Sequence, residues 1–327
     1  MKHLYLSAAL APLLVVAPAH AETKDAKAKA SSEAVFSTGV AKGRDRLDSA
    51  TSTSALRESE IEVLGARSLG EVLRNIPGIR AEYAGGEGNA NYSIRGLPLS
   101  GTGSKYVQLQ EDGLPVLEFG DMYQLGTDMF MRADLNLSAI ETIRGGSAST
   151  FASNSPGGVI NLISKTGDTE GGAVQATYGL NYGEKRVEGD YGYKISDTLR
   201  MHIGGFYRQG EGPRDVGYTA LKGGQIKANI TKTFDNGYVR IYGKYLNDRT
   251  PVYQFVPIRV SGTNADPTFT APANFNPKTD SLLSPYVSNV VGLDRNNNIE
   301  NDDLRGGQHA LVKSIGLDAQ FDVQGWT

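Results

Sequence analysis

From residue 172 onward the chain alternates apolar and polar positions with period two. Val174, Ala176, Tyr178, Leu180 and Tyr182 fall on one side, against Gln175, Thr177, Gly179 and Asn181. Val187, Gly189, Tyr191, Tyr193 and Ile195 oppose Arg186, Glu188, Asp190 and Lys194. The same pattern recurs around Leu199–Arg208, 226–231, 239–245 and 311–322, giving six predicted strands with one apolar and one densely charged face. Such strands have two solutions: an apolar face buried against a second sheet, or one facing lipid with the charged face turned to water. The connections favour the second. Ser196-Asp197 and Asp235-Asn236-Gly237 are tight, whereas 209–220 and 247–308 are long. Short turns at one end and long loops at the other mark a membrane barrel.

Upstream, the pattern is shorter and mixed. Ser68-Leu69-Gly70-Glu71 places Ser at an N-cap with Glu three residues on, which predicts a short helix stopped by Pro77-Gly78. Strands are predicted near 79–83, 92–95, 107–111, 142–144 and 159–164, joined by Gly-, Asn- and Ser-rich stretches at 84–91, 98–105 and 118–127. This describes a small α+β unit with large polar loops, leading directly into the long strands.

The N-terminus is different again. Lys2 precedes an apolar run over 4–16 that is too short to span a bilayer as a helix, followed by Pro18 and the small-x-small triplet Ala19-His20-Ala21. Residues 1–21 are therefore expected to be a secretory signal peptide. Residues 22–58 read as a flexible tail, rich in Ala, Lys and Glu over its first third. Within it, Ala34, Val35, Phe36, Ser37, Thr38, Gly39 and Val40 form a short extended apolar patch. Such a patch suits strand addition to a partner's sheet edge, where main-chain bonds supply the grip.

Composition narrows the function further. A 327-residue chain with 39% hydrophobic residues and a mean hydropathy of -0.33 excludes a helical membrane bundle but not a barrel. The net charge of -3 points to no nucleic-acid partner, and the absence of Cys excludes disulfides and thiolate metal sites. His202 and His309 are far apart, so no zinc constellation or catalytic set is expected, and no cofactor. Gly145-Gly146-Ser147-Ala148-Ser149 lacks the last glycine of a nucleophile elbow. Asp294, Asn296 and Asn298 have the alternate spacing of a calcium loop, but position six is Ile299 and twelve is not Glu. A polar external loop is the expectation there.

Four ordered motifs resemble the plug domain of TonB-dependent outer-membrane receptors. They are Leu69-Gly70-Glu71-Val72-Leu73-Arg74-Asn75-Ile76-Pro77-Gly78-Ile79, Tyr92-Ser93-Ile94-Arg95-Gly96, Gln110-Glu111-Asp112-Gly113-Leu114-Pro115-Val116, and Ala139-Ile140-Glu141-Thr142-Ile143-Arg144-Gly145 followed by 155–165. Gly146 departs from the proline often found in the family, and Phe151-Ala152-Ser153 from a tyrosine and glycine. The resemblance implies a plug over 59–167 and the first part of an outer-membrane β-barrel over 168–327. It implies a TonB box at Ala34–Val40, an energy-transducing periplasmic partner, outer-membrane lipid around the wall and a Gram-negative host. A scarce large solute, an iron chelate by family default, would meet the plug loops. Tyr83, Glu87, Asn89, Ser104, Glu118, Asp121 and Tyr123 are the candidate contacts. Arg95, Glu141 and Arg144 are the expected lock between plug and wall, with Glu188 and Asp190 among the candidate wall partners. A passive porin or an adhesin is the alternative, and an oligosaccharide or aromatic compound the alternative substrate. A plugged transporter barrel has about 22 strands. Six strands leave an open edge that lipid cannot satisfy, so the chain is expected to be part of a longer one and not to insert alone.

Overall fold

The computed structural model describes residues 35–36, 38, 44–45, 52–66, 68–82, 87–97, 106–116, 127–145, 152, 155–180, 183–212, 216–252, 258–271, 273–274, 276, 290–294 and 296–323. The signal peptide at 1–21 lies outside the described residues.

Strands β1 (Val35–Phe36) and β2 (Arg44–Asp45) pair with each other. The α+β unit follows. It contains β3 (Ser52–Arg57), α1 (Glu58–Leu64), α2 (Leu69–Leu73), β4 (Ile79–Glu82), β5 (Asn91–Ile94), β6 (Val107–Glu111), β7 (Leu114–Pro115), β8 (Leu137–Arg144) and β9 (Gly158–Ser164). Five of these strands form one sheet in the order β3-β8-β9-β6-β7; only β6 and β9 run parallel. β4 and β5 make a separate antiparallel pair. Ser68 caps α2 as its spacing predicts, its Oγ accepting from the Glu71 N–H at 3.3 Å. Leu69, Val72, Leu73 and Ile76 then bury against Ile94, Leu109, Ile140, Ile160 and Leu162, forming the core. Burial of this size, at about 25 cal/mol per Å² of apolar surface, is what orders a unit whose loops are otherwise polar.

The folded unit begins earlier than residue 59. β3 pairs along its whole length with β8, and α1 follows it immediately, closed by Gly65 in the left-handed region at φ 54°. Residues 52–58 therefore belong to the sheet and helix rather than to a flexible tail. Ser-Thr-Ser-Ala-Leu-Arg shows no two-residue apolar period, because all six positions are only partly covered.

The second part is a six-stranded antiparallel meander. It runs β10 (Gly171–Tyr178), β11 (Glu184–Ser196), β12 (Leu199–Gly210), β13 (Leu221–Phe234), β14 (Gly237–Thr250) and β19 (Gln308–Phe321). The predicted strands are all present. The long connection between β14 and β19 carries two small hairpins that the sequence pattern did not reveal. These are β15 (Arg259–Gly262) with β16 (Pro267–Thr270), and β17 (Val290–Leu293) with β18 (Ile299–Asp302). The β15 and β16 residues are exposed, so no burial period marks them.

This wall is polarised opposite to a soluble sheet. Its charged face packs on the α+β unit: Arg186, Glu188, Asp190, His202, Arg208, Lys227, Lys244 and Asp248 are buried. Its apolar face is open: Val174, Val187, Ile203, Ile226, Ile315 and Leu317 are exposed, with Ile315 at 83%. Among the described residues no helix is long and apolar enough to cross a membrane, which leaves crossing by strands untouched.

Candidate functional site

The charged face of the wall meets the α+β unit through three sets of buried groups. The first lies at the end of the wall from which the long connections leave. Arg132 Nε donates to Asp248 Oδ2 at 2.7 Å, and Arg208 Nη2 to the same oxygen at 2.5 Å. Glu87 pairs with Arg208 and lies 3.8 Å from Arg132. Two guanidiniums and two carboxylates thus neutralise one another, and side-chain exposure of both arginines is 1%. Arg132 Nη1 also donates to the carbonyls of Asp128, Met129 and Met131 at 3.2, 3.0 and 2.7 Å, wrapping its own segment.

The second set sits mid-wall. Glu111, at the end of β6, accepts from Lys227 Nζ at 2.8 Å and from Lys244 Nζ at 2.6 Å. Burial would raise the Glu111 carboxyl, but the charges of Lys227 and Lys244 outweigh it and hold it down at about 2. Lys227 also donates to Ser164 Oγ at 2.6 Å, and Lys244 to the Phe130 carbonyl at 2.8 Å.

The third set is centred on Asp190, which stands level with Lys227 and Lys244 across Gly204. Lys165 Nζ lies 3.0 Å from Asp190 and 2.7 Å from Glu58, and His202 Nε2 lies 3.0 Å from the same Asp190 carboxylate. Gly204 on β12 faces this region; a Cβ there would overlap Asn136 and Asp190. Its bare backbone lets the plug approach the wall directly. Such buried pairs contribute little net stability when intact, because desolvation offsets attraction, but removing one partner costs about 3–5 kcal/mol. They specify where the plug sits.

Behind this interface, Asp128 accepts from the Ala90 N–H at 3.2 Å and from the Tyr92 hydroxyl at 2.9 Å. Burial pushes its carboxyl up to about 7, against the opposing pull of the Tyr92 hydrogen bond and Arg132. Burial and the Asp128 charge together push the Tyr92 hydroxyl well above its usual range.

The short segment after β1 docks on the opposite side of the plug sheet. Thr38 donates to Glu141 Oε2 through both its N–H, at 2.9 Å, and its hydroxyl, at 2.7 Å. Asn161 Nδ2 donates to the Thr38 hydroxyl oxygen at 3.0 Å, and Arg57 Nη1 to Glu141 Oε1 at 3.4 Å. A buried carboxylate in the middle of β8 therefore holds a residue of the predicted partner-binding patch.

The remaining expected residues are distributed as follows. Val35 and Phe36 form β1; Ala34, Ser37, Gly39 and Val40 lie outside the described residues, as do Tyr83, Ser104, Glu118, Asp121 and Tyr123. Asn89 is half-buried beside Glu87. For the three residues expected to lock plug to wall, the described contacts are as follows. Arg144 donates to the carbonyls of Pro77 and, at 3.2 Å, Thr53, both within the α+β unit. Glu141 holds Thr38 and Arg57. Arg95 is exposed in the left-handed region at φ 52°, and among the described residues no carboxylate pairs with it. β8, which carries Glu141 and Arg144, is an inner strand of the plug sheet, between β3 and β9. Charges that reach the described wall include Glu87, Glu111, Asp112, Arg132, Asp134 and Lys165. Asp190 does take a plug cation, but a lysine; Glu188 pairs with its neighbour Arg186 at 2.9 Å. Sequence reasoning missed Arg132, although three charged or polar residues, Arg132, Asp134 and Asn136, crowd an aperiodic stretch just before β8.

A compact unit seated against an antiparallel wall, with charges turned toward it and aliphatics outward, defines a plugged β-barrel architecture. Residues 45–159 match the family model of the TonB-dependent Receptor Plug Domain. The chain is 27% identical over 245 residues to the catecholate siderophore receptor Fiu of Escherichia coli K12, covering 72% of this chain and 29% of that receptor. It is 32% identical over 111 residues to the vitamin B12 transporter BtuB of Photobacterium profundum, covering 34% of this chain and 17% of that one. The structure of the alcaligin outer membrane receptor FauA from Bordetella pertussis has the same fold, with a TM-score of 0.52 at 17% identity over 67% of this chain and 36% of its own. Residues 45–159 thus carry a TonB-dependent receptor plug domain, and the chain is similar to such receptors over 72% of its length. It spans about 29% of the length of the Fiu receptor it matches. The family is one of receptors and transporters.

Proposed function

We propose that this chain supplies the plug and the first wall strands of an energy-coupled importer in the outer membrane of a Gram-negative bacterium. The single observation that carries this is the inverted wall, with buried charges gripping a plug and exposed aliphatics turned outward. A soluble protein would not leave so much apolar strand surface open.

The ligand enters from the side of the long connections and meets the plug loops around Glu87 and Asn89. A ferric siderophore is the substrate this reading favours, following the match to Fiu; the BtuB match makes a cobalamin the second candidate. The 34–40 segment pairs by strand addition with a TonB-type protein in the periplasm. Pulling on it loads Thr38 and its contacts with Glu141 and Asn161 first. Asn161 Oδ1 accepts from the Gly113 N–H at 3.0 Å, and the neighbouring Asp112 holds Ser164, which Lys227 of the wall also contacts. This continuous path carries force from the segment to the wall-facing ion pairs, whose rearrangement opens a passage.

Growth of a deletion strain on a panel of ferric chelates and cobalamin, complemented by the whole receptor with or without residues 34–40, tests the reading. Substrate-dependent growth only with the segment present supports it. Equal growth without the segment would show passive entry instead.

A further inference from the structure

On the outward face of the wall, one level carries positive charge across several strands. Lys185 on β11 lies opposite Gln209 on β12, Gln209 opposite Lys222 on β13, Lys222 opposite Arg249 on β14, and Arg249 opposite His309 on β19. All five residues are exposed. Side chains alternate along a strand, so these five share the face that also carries Val187, Tyr207, Ile226, Tyr245 and Leu311. Two residues nearer the tight turns, the row reads Val187, Tyr207, Gly224, Asn247 and Leu311. The cationic row therefore borders the apolar belt, at the end where the connections 211–220 and 251–307 leave the wall.

Like charges directly opposite each other destabilise a sheet. Lys222 and Arg249 are so placed, and among the described residues none of Lys185, Lys222, Arg249 and His309 pairs with a carboxylate. Arg249 Nη1 donates to the Gly306 carbonyl at 3.2 Å, and His309 Nε2 lies 2.8 Å from Asn247 Oδ1. The acids nearby on these strands, Glu184 and Asp248, point to the other face and are buried. Farther down the belt, Lys313 also faces outward among aliphatic neighbours, where its stem can lie on the apolar surface and lift its ammonium toward the row. At the opposite end the outward face carries one cation on these strands, Lys232, which donates to Thr198 Oγ1, and closes with Phe234 and Phe321, 5.8 Å apart between ring centroids. The charge asymmetry is thus between the two ends of one lipid-facing surface.

We infer that Lys185, Lys222, Arg249 and His309 form a binding row for the phosphate groups of membrane lipid in the external leaflet. The inference rests on the outer-membrane reading above. Neighbouring strands stand about 4.8 Å apart. A row four strand spacings long spans more than one headgroup, and its charges sit at the height where acyl chains give way to phosphates. Phosphate oxygens there would relieve the Lys222–Arg249 repulsion, which no carboxylate among the described residues relieves, and basic clusters beside an apolar span attract anionic lipid for the same reason.

The test uses the whole receptor purified from membranes in detergent, with the heat-induced unfolding of its barrel followed by gel mobility. Phosphatidic acid, phosphatidylcholine and inorganic phosphate are added separately to the wild type, to a Lys185→Gln/Lys222→Gln/Arg249→Gln variant, and to a Lys232→Gln control at the other end of the face. Phosphatidic acid should raise the unfolding temperature of wild type and control and leave the triple variant unmoved, with phosphatidylcholine inert throughout. An equal rise in the triple variant, or no rise in the wild type, would overturn the lipid row while leaving the barrel intact. A rise reproduced in full by inorganic phosphate would overturn lipid as the ligand. A receptor with no heat-modifiable barrel would overturn the outer-membrane reading and the row with it.

Discussion

Glu111 shows how a single side chain decides where the plug sits. It is the shared partner of Lys227 and Lys244, and Glu111→Gln would leave two ammonium groups buried against a neutral amide. Loss of one buried partner costs about 3–5 kcal/mol. Denaturant unfolding of the plug within the receptor should show a loss of that order, whereas substitution of the exposed Arg80 should change little. The carboxyl is held below its ordinary 4.5, at about 2. Its contribution is present above about pH 4.5 and fades as pH falls through about 2. Asp128 has the opposite sign. Its carboxyl is raised from 3.8 to about 7, so the folded state binds the proton more tightly than the unfolded one. Stability should therefore decline as pH rises from about 4 to about 7, and Asp128→Asn should flatten that decline. A pH series of unfolding midpoints for both variants checks the two signs. None of these ties was legible in the sequence. Lys227 and Glu111 are separated by 116 positions, and Arg132 and Asp248 by 116, so no local spacing encodes their pairing.

At the scale of elements, the sequence was read best where strands were long and one-sided. The wall strands carry 8 to 14 residues with a two-residue period, and all six were legible. β3 was not, since its partial cover on every residue leaves no period, and α1 went unread for lack of a buried residue. The glycine pair at 157–158 was legible as a tight element, and its reason is visible between β8 and β9. Gly158 has φ 142°, and a Cβ there would overlap the Ile143 carbonyl oxygen. Gly158→Ala must strain the backbone and part the two central strands, at a cost of roughly 3 kcal/mol or more. Reduced folded yield with faster hydrogen exchange across 137–144 and 158–164 is the expected result. At Gly243, where a Cβ meets only the Ser314 carbonyl at 3.6 Å, the same change should be mild.

For the whole molecule, the plug, the docked Thr38 segment and the inverted wall form one connected design. Glu141 links the segment to the plug, and the wall-facing charges link the plug to the wall. Glu141→Gln would weaken the Thr38 dock, so it should expose the 35–45 segment to limited proteolysis while ligand binding stays unchanged. All of this depends on which face of the wall meets lipid. The chain contains no cysteine, so single labels can be placed by Ile226→Cys and Gln225→Cys, adjacent residues on opposite faces of β13. Nitroxides at these two sites, in the receptor embedded in bilayers, can be compared for collision with oxygen, which concentrates in lipid, and with a water-soluble nickel chelate. The label at 226 should be oxygen-accessible and shielded from nickel, while the label at 225 should be shielded from lipid. A label at 226 that meets nickel as freely as oxygen, or one buried from both, would contradict it.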